Sequence, residues 1–219
     1  MLAEQIATNT YPNLVITDKV SYALQLMDDY DVQHLPVMSS DVFVGIVSKE
    51  QLLDEIDSTA LATIQHQLFN KSVLRTDHAM QALRLMSEEQ ITLIAVTNEQ
   101  QELVGTIHFQ AMLQALHHFT GNDEPGGVIV FEMDKRNYSF GEISRLVETN
   151  DAYITQCNTS VETGTGLLLV TLKINRRELS DIIATFQRYD YTIRYYFGEE
   201  AYQNELKANY NALMNYLNM

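Results

Sequence analysis

The feature that most constrains this chain is an internal repeat. Displacing the sequence by 59 positions lays Thr17-Asp18 on Thr76-Asp77, and Ala23-Leu24-Gln25-Leu26-Met27 on Ala82-Leu83-Arg84-Leu85-Met86. Val32 then meets Ile91, Leu35 meets Ile94 and Val37 meets Val96. One residue is gained in the polar stretch near Gln100-Gln101. From there the offset is 60, with Phe43-Val44-Gly45 on Leu103-Val104-Gly105 and Leu52-Leu53 on Met112-Leu113. A repeat of this length makes each copy one supersecondary unit that buries its apolar face against the other.

Each copy reads as β-α-β-β-α. A short apolar run (Leu14–Ile16; Val73-Leu74) precedes the Thr-Asp pair, which is expected to cap a helix by accepting bonds from its first amides. In the first copy Val20, Ala23, Leu24, Met27 and Tyr30 follow at helical spacing. Two β-rich runs come next, Leu35–Met38 and Phe43–Val47, joined by the turn Ser39-Ser40-Asp41. A second helix is predicted from Lys49, carrying Leu52, Leu53 and Ile56.

Ala23, Met27, Leu35-Pro36-Val37 and Val44-Gly45-Ile46-Val47-Ser48 before Leu52-Leu53 make this unit resemble the CBS motif. Two such motifs in tandem are similar to a Bateman module, over about residues 8–118. The second copy is more degenerate, with Ile94-Ala95-Val96 and Gly105-Thr106-Ile107-His108 at the matching places. The resemblance implies two clefts between the motifs that take adenosine-containing ligands, AMP or S-adenosylmethionine. It also implies a pattern of Gly, two residues, Thr or Ser, two residues, Asp. A carboxylate at a helix start accepts from both ribose hydroxyls, while a hydroxyl and the helix amides meet a phosphate. The first copy offers Gly45, Ser48 and then Gln51, whose single carbonyl oxygen replaces the carboxylate; the second offers Gly105, His108 and Ala111. The candidate ligand contacts are therefore His34, Leu35, Pro36, Val37, Ser48, Lys49, Gln51 and His108, with Lys49 within reach of a phosphate. The first cleft is the expected site, and the second reads as vestigial for ribose. Each residue also has a plain structural role to weigh. Ser48 serves equally as a helix cap, Pro36 and Val37 as core, and His34 as a solvated strand end.

Thr120–Gly127 is the most turn-prone stretch and marks a boundary. Beyond it, Val128–Met133, the stripe Phe140/Ile143/Leu146/Val147, Ala152–Gln156, Leu167–Ile174, the stripe Leu179/Ile182/Ile183/Phe186 and Tyr191–Tyr195 give β-α-β-β-α-β, the order of a ferredoxin-like antiparallel sheet with two helices on one face. Order and length resemble an ACT domain, and the whole chain is similar to the CBS–ACT proteins of the acetoin-utilisation type. ACT domains place Pro-Gly after the first strand for close approach of an amino acid. Asn137-Tyr138 stands there, so Tyr138 is expected to obstruct that approach, leaving Asp134, Asn137 and Ser139 as the loop's candidates. Glu200–Asn218 carries Tyr202, Leu206, Tyr210, Leu213 and Leu217 on one helical stripe. The expected fold is thus α+β, divided as 1–58 (first CBS motif), 59–120 (second), 121–126 (linker), 127–199 (ACT-like) and 200–219 (C-terminal helix).

Charge narrows the partners. Residues 1–120 hold five basic and fifteen acidic side chains, and the whole chain is −15. Phosphate backbones and anionic membranes repel such a surface, so neither nucleic acid nor membrane is an expected partner. No apolar run approaches the roughly 18 residues of a membrane span, and Met1–Asn9 lacks the basic start of a secretory signal. The lone Cys157 forms no internal disulfide and fits a reducing cytoplasm. It is read as a small buried hydrophobe at the end of a short strand. No metal-ligand or nucleophile spacing is found, and adjacent His117-His118 diverge on a helix. The expectation is a cytoplasmic, non-catalytic, homodimeric regulator needing no cofactor. Its CBS pair would sense an adenosyl ligand, and the ACT-like unit would dimerise or pass the signal to a regulated protein. The competing reading is a protein-interaction scaffold with vestigial clefts.

Overall fold

The computed structural model describes residues 1–199 of the 219. The C-terminal helix expected over 200–219 lies outside the described residues. The described residues divide into two compact units, with the boundary between Leu116 and His117.

In the first unit the repeat is realised down to backbone detail. Strand β1 (Leu14–Val15), helix α1 (Val20–Asp29), strands β2 (His34–Ser39) and β3 (Val42–Ser48) and helix α2 (Lys49–Leu53) form one copy. Strand β4 (Val73–Leu74), helix α3 (Ala79–Glu88), strands β5 (Leu93–Thr97) and β6 (Leu103–His108) and helix α4 (Phe109–Phe119) form the other. Each copy has a three-stranded sheet, β1-β2-β3 and β4-β5-β6, with a parallel first pair and an antiparallel second. Both long helices end on a left-handed residue, Asp31 (φ 52) and Gln90 (φ 55), 59 positions apart. The next amide then turns back to the helix, Val32 N–H to Met27 O and Ile91 N–H to Met86 O.

The Thr-Asp pair does not cap the helices as expected. Asp18 Oδ2 accepts from Val15 N–H at 2.7 Å and Asp77 Oδ2 from Leu74 N–H at 2.9 Å. The carboxylate thus closes the turn out of the preceding strand, while Lys19 and His78 occupy the cap positions. Helix α2 also stops at Leu53, which leaves Ile56 outside it.

Two segments that carry no periodicity complete the unit by crossing over. Residues 2–8 lie along the second copy: Thr8 and Thr106 exchange both amide–carbonyl bonds, and Ala3 N–H reaches Asp77 O. Residues 60–69 lie along the first: Phe69 and Ile46 exchange the equivalent pair. The two pseudo-equivalent glycines sit under these crossings. A Cβ on Gly45 would lie 2.7 Å from Leu68 Cβ, and one on Gly105 would lie 3.1 Å from Thr8 O. The copies share a core, since Met38, Phe43 and Ile46 of the first pack in one cluster with Val73, Ile94, Val96 and Ile107 of the second. Burial of this surface, at roughly 25 cal/mol per Å2 of apolar area, holds the halves together.

The second unit has strands β7 (Gly127–Met133), β8 (Ile154–Val161), β9 (Leu168–Ile174) and β10 (Ile193–Phe197), with helices α5 (Phe140–Glu148) and α6 (Ser180–Arg188). Its sheet order β10-β7-β9-β8, antiparallel throughout, is the ferredoxin-like arrangement. The β9 pattern alternates buried and half-buried residues, and Ile129, Phe131, Val170 and Leu172 meet Ile143, Leu146, Ile182 and Phe186 in one core. Phe140 is exposed and does not join that stripe. Strand β8 is longer than expected and runs to Val161. The turn follows it, closed by Glu162 N–H to Leu167 O with Gly166 at φ 71. Cys157 is accordingly mid-strand and half-buried, its Sγ 3.7 Å from Tyr138 Oη, rather than a buried strand end.

Candidate ligand cleft

On the first-copy side the expected contacts are engaged with one another. Ser48 Oγ accepts from Gln51 N–H at 3.1 Å, and Gln51 Oε1 accepts from Ser48 N–H at 3.0 Å, a reciprocal cap on α2. The Gln51 amide then donates to Gln67 O at 2.8 Å. Lys49 pairs with Asp28. Leu35, Pro36 and Val37 are buried, Leu35 and Val37 within the first copy's core. The structure brings these residues together as scaffold around the start of α2.

His34 has a different environment from the solvated strand end expected. It is half-buried at the start of β2, and its Nδ1 lies 2.9 Å from Thr92 Oγ1 and accepts from Thr92 N–H at 3.3 Å. A side chain of the first copy is thereby bonded to the second, just ahead of β5. Burial lowers the His34 pKa, and the nearby His108 lowers it further. Burial likewise lowers that of His108, so both rings are held toward the neutral form. His108 takes the place that Ser48 holds in the other copy. Its Nδ1 accepts at long range, 3.5 Å, from Gln110 N–H at the start of α4.

An open volume lies on this second-copy side, apart from a cavity of about 480 Å3 that Val15, Met38, Asp41 and Glu102 line elsewhere in the unit. A cavity of about 340 Å3 has Gln33, Thr92 and His108 among its lining, with Tyr11, Tyr30 and Phe109 as aromatic wall and Asp31 and Gln110 as polar rim. Tyr11 and Phe109 each stand 4.9 Å, centroid to centroid, from the His108 ring. Of the eight sequence candidates only His108 lines the cavity. The other lining residues, Tyr11, Tyr30, Asp31, Gln33, Thr92, Phe109 and Gln110, are not among the ligand contacts expected from the sequence. The usable signal was the repeat itself, because Gln33 and Thr92 are equivalent positions in the two copies. Chemically the cavity offers flat faces for a ring, one carboxylate and neutral hydrogen-bonding groups.

A further cavity, of about 500 Å3, opens in the second unit where β7 runs into α5. Asp134 and Asn137 line it; Ser139 does not, its Oγ accepting from Glu142 N–H as the α5 cap. Asp134 is held by Arg136 through two bonds of 3.0 Å, which lower its pKa. Tyr138 does not obstruct the loop as expected. It turns to the core, beside Cys157. Tyr191 also lines this cavity, and burial, with the Glu142 carboxylate alongside, pushes its phenol up to about 12. Among the described residues no group of three or more His, Cys, Asp or Glu is placed to hold a metal, and no helix is long and apolar enough to cross a membrane.

Two sheet-and-helix copies border a ligand-sized cleft, and a ferredoxin-like unit follows them in the chain. Residues 3–58 and 70–118 match the sequence profile of the CBS domain, so the first unit is a tandem pair of CBS domains, and the unit that follows has the ferredoxin-like sheet order. CBS domains are generally regulatory and ligand-sensing, and commonly bind adenosine-containing ligands. Among solved structures, a CBS domain pair/ACT domain protein of Thermotoga maritima is 24% identical with a TM-score of 0.50, over 54% of this chain and 98% of that one. A Vibrio cholerae chain assigned to acetoin utilization is 20% identical (TM-score 0.47; 57% and 98% covered). The CBS domains of a Streptococcus pneumoniae transcriptional regulator are 21% identical (TM-score 0.46; 52% and 98% covered).

Proposed function

We propose that this protein is a non-catalytic, homodimeric regulator whose CBS pair senses an adenosine-containing ligand in the second-copy cavity, with the ACT-like unit dimerising or passing on the signal. The observation that carries this reading is the cavity of about 340 Å3 walled by Tyr11 and Phe109 around His108. Its rings suit stacking on a base, and its size falls at the small end of ordinary ligand sites, roughly 300–1,000 Å3. His34 bonded to Thr92 couples the cavity to both copies, so a ligand favouring one arrangement of the halves would shift their population. A thermal-shift series over AMP, ADP, ATP, S-adenosylmethionine, adenosine and amino acids tests it. A ligand at 100 times its dissociation constant should stabilise the chain by roughly 2.7 kcal/mol. Tyr11→Ala and His108→Ala should abolish the shift and Ser48→Ala should not. Silence across every adenosyl compound would reject the proposal.

The scaffold reading has its own support in the first copy, where Ser48, Gln51 and Lys49 are already occupied by Gln51, Gln67 and Asp28. An unshifted melt with every ligand would favour it.

A further inference from the structure

We infer that the second-copy cavity selects a ligand without phosphate: a nucleoside, neutral or carrying a positive group, in preference to any nucleotide. The inference rests on the adenosyl-sensing reading above and names its ligand class. Three observations carry it. None of the described residues lining the cavity is Lys or Arg, and the one charged group there is the Asp31 carboxylate. Elsewhere in the first unit four of the five Lys and Arg side chains are paired, Lys49 with Asp28, Lys71 with Glu89, Arg75 with Glu4 and Arg84 with Glu88, and the fifth, Lys19, is exposed at the start of α1 and does not line the cavity. At the position where a hydroxyl and a free helix start would meet a phosphate stands His108, its ring between Tyr11 and Phe109 and its Nδ1 turned to the amide of Gln110.

A phosphate dianion entering this site would meet like charge at Asp31 with no cation in return, inside a unit already at −10. A ribose hydroxyl, an exocyclic amine or a sulfonium meets a carboxylate acceptor and flat aromatic faces instead. The volume agrees: about 340 Å3 holds a ring and a sugar, with little left for a polyphosphate chain.

Calorimetric titration of the full chain at pH 8, where both histidines are neutral, separates the outcomes. The probes are adenosine, S-adenosylmethionine, AMP and ATP. Adenosine or S-adenosylmethionine should bind at least about tenfold more tightly than AMP, with ATP weaker still, the scale expected of one unscreened carboxylate a few ångströms from a dianion. Asp31→Asn keeps a residue tolerant of the left-handed backbone (φ 52), and it should narrow the gap between adenosine and AMP. Gln110→Lys should reverse it. AMP binding as tightly as adenosine to the unaltered protein overturns the inference and leaves adenosyl sensing standing. An adenosine-to-AMP ratio unmoved by Asp31→Asn overturns the electrostatic basis and with it the inference. No heat with any of the four probes overturns this inference and the adenosyl reading together.

Discussion

Gly45 and Gly105 are equivalent in the repeat, yet the space above them differs in a way that sets their tolerance. Both lie under a crossing segment, but the Gly45 position faces the Leu68 Cβ at 2.7 Å and the Phe69 carbonyl at 3.1 Å. Neither can swing away, because one is backbone and the other is attached to it directly. At Gly105 the nearest atoms, Thr8 O at 3.1 Å and Ala7 Cβ at 3.3 Å, are close but short of overlap. Gly45→Ala is therefore expected to cost about 1–3 kcal/mol, as overpacking of a tight site does, and Gly105→Ala visibly less. Denaturant melts of the two variants check the ranking, and equal losses would contradict it. The glycines themselves were legible, since the repeat aligns them. The crossing chain that makes them necessary was not, because no local pattern announces a backbone arriving from 23 residues away over Gly45 or 97 over Gly105.

His34 shows a second limit on reading residues singly. Its position before Leu35-Pro36 gave no sign that Thr92 would hold its Nδ1 in a buried setting. The consequence is a pH dependence whose sign is fixed. A histidine with a folded pKa below its unfolded value binds more protons when unfolded, so stability is full above about pH 6.5 and falls as pH drops through that value. Protonation also removes the acceptor for Thr92 N–H. The titratable and charged groups facing this site are His108, Tyr11, Tyr30 and Asp31, and burial shifts the His108 pKa in the same direction as that of His34. The unit's melting temperature should decline between pH 7.5 and 5.5, and His34→Asn should make that decline shallower. An unchanged slope in the variant would place the acid sensitivity elsewhere.

At the level of elements, the sequence revealed what was periodic and missed what was reciprocal. The β-α-β-β-α order of both copies, and β-α-β-β-α-β after them, follow from stripes such as Ile143, Leu146 and Val147, whose spacing is local information. The Thr-Asp pairs are legible in the sequence but their partner is not, since an Asp three residues after an amide closes a turn as readily as it caps a helix. The segments 2–8 and 60–69 were invisible because their hydrogen bonds run to the other copy's strands. That arrangement has a measurable consequence. Residues 1–9 supply both of the bonds between Thr8 and Thr106, along with the buried Ala3. Deleting them should raise amide hydrogen exchange in β6 by tenfold or more, on the scale of a lost hydrogen bond and its cover. β2 and β3, covered by 60–69, should stay protected. Equal loss in both sheets would mean that the copies do not open separately.

For the whole molecule, duplication leaves a pair of related apolar faces whose exposure exceeds what one unit needs. Leu53 is 66% exposed and Ile56 73%, while Leu113, equivalent to Leu53, is 62% exposed beside Phe109 at 49%. Leu113 and Phe109 border an apolar groove with Leu83, Met86 and Leu116. Clustered exposure of this kind is rare on monomers, and it suits a twofold contact in which each face meets a copy of itself or of its relative. The expected solution mass is therefore twice the chain's 25.0 kDa. Leu53→Asp with Leu113→Asp should halve it while leaving the thermal melt of the dilute monomer unchanged, because neither side chain is part of a core cluster. A monomeric mass for the unaltered chain would remove the dimer from the proposed function. A dimer that survives both substitutions would assign self-association to the second unit instead. Adenosyl ligands added to the double variant then divide the roles further: a retained thermal shift would mean that the cavity is complete within one chain, and its loss would make the dimer part of the binding site.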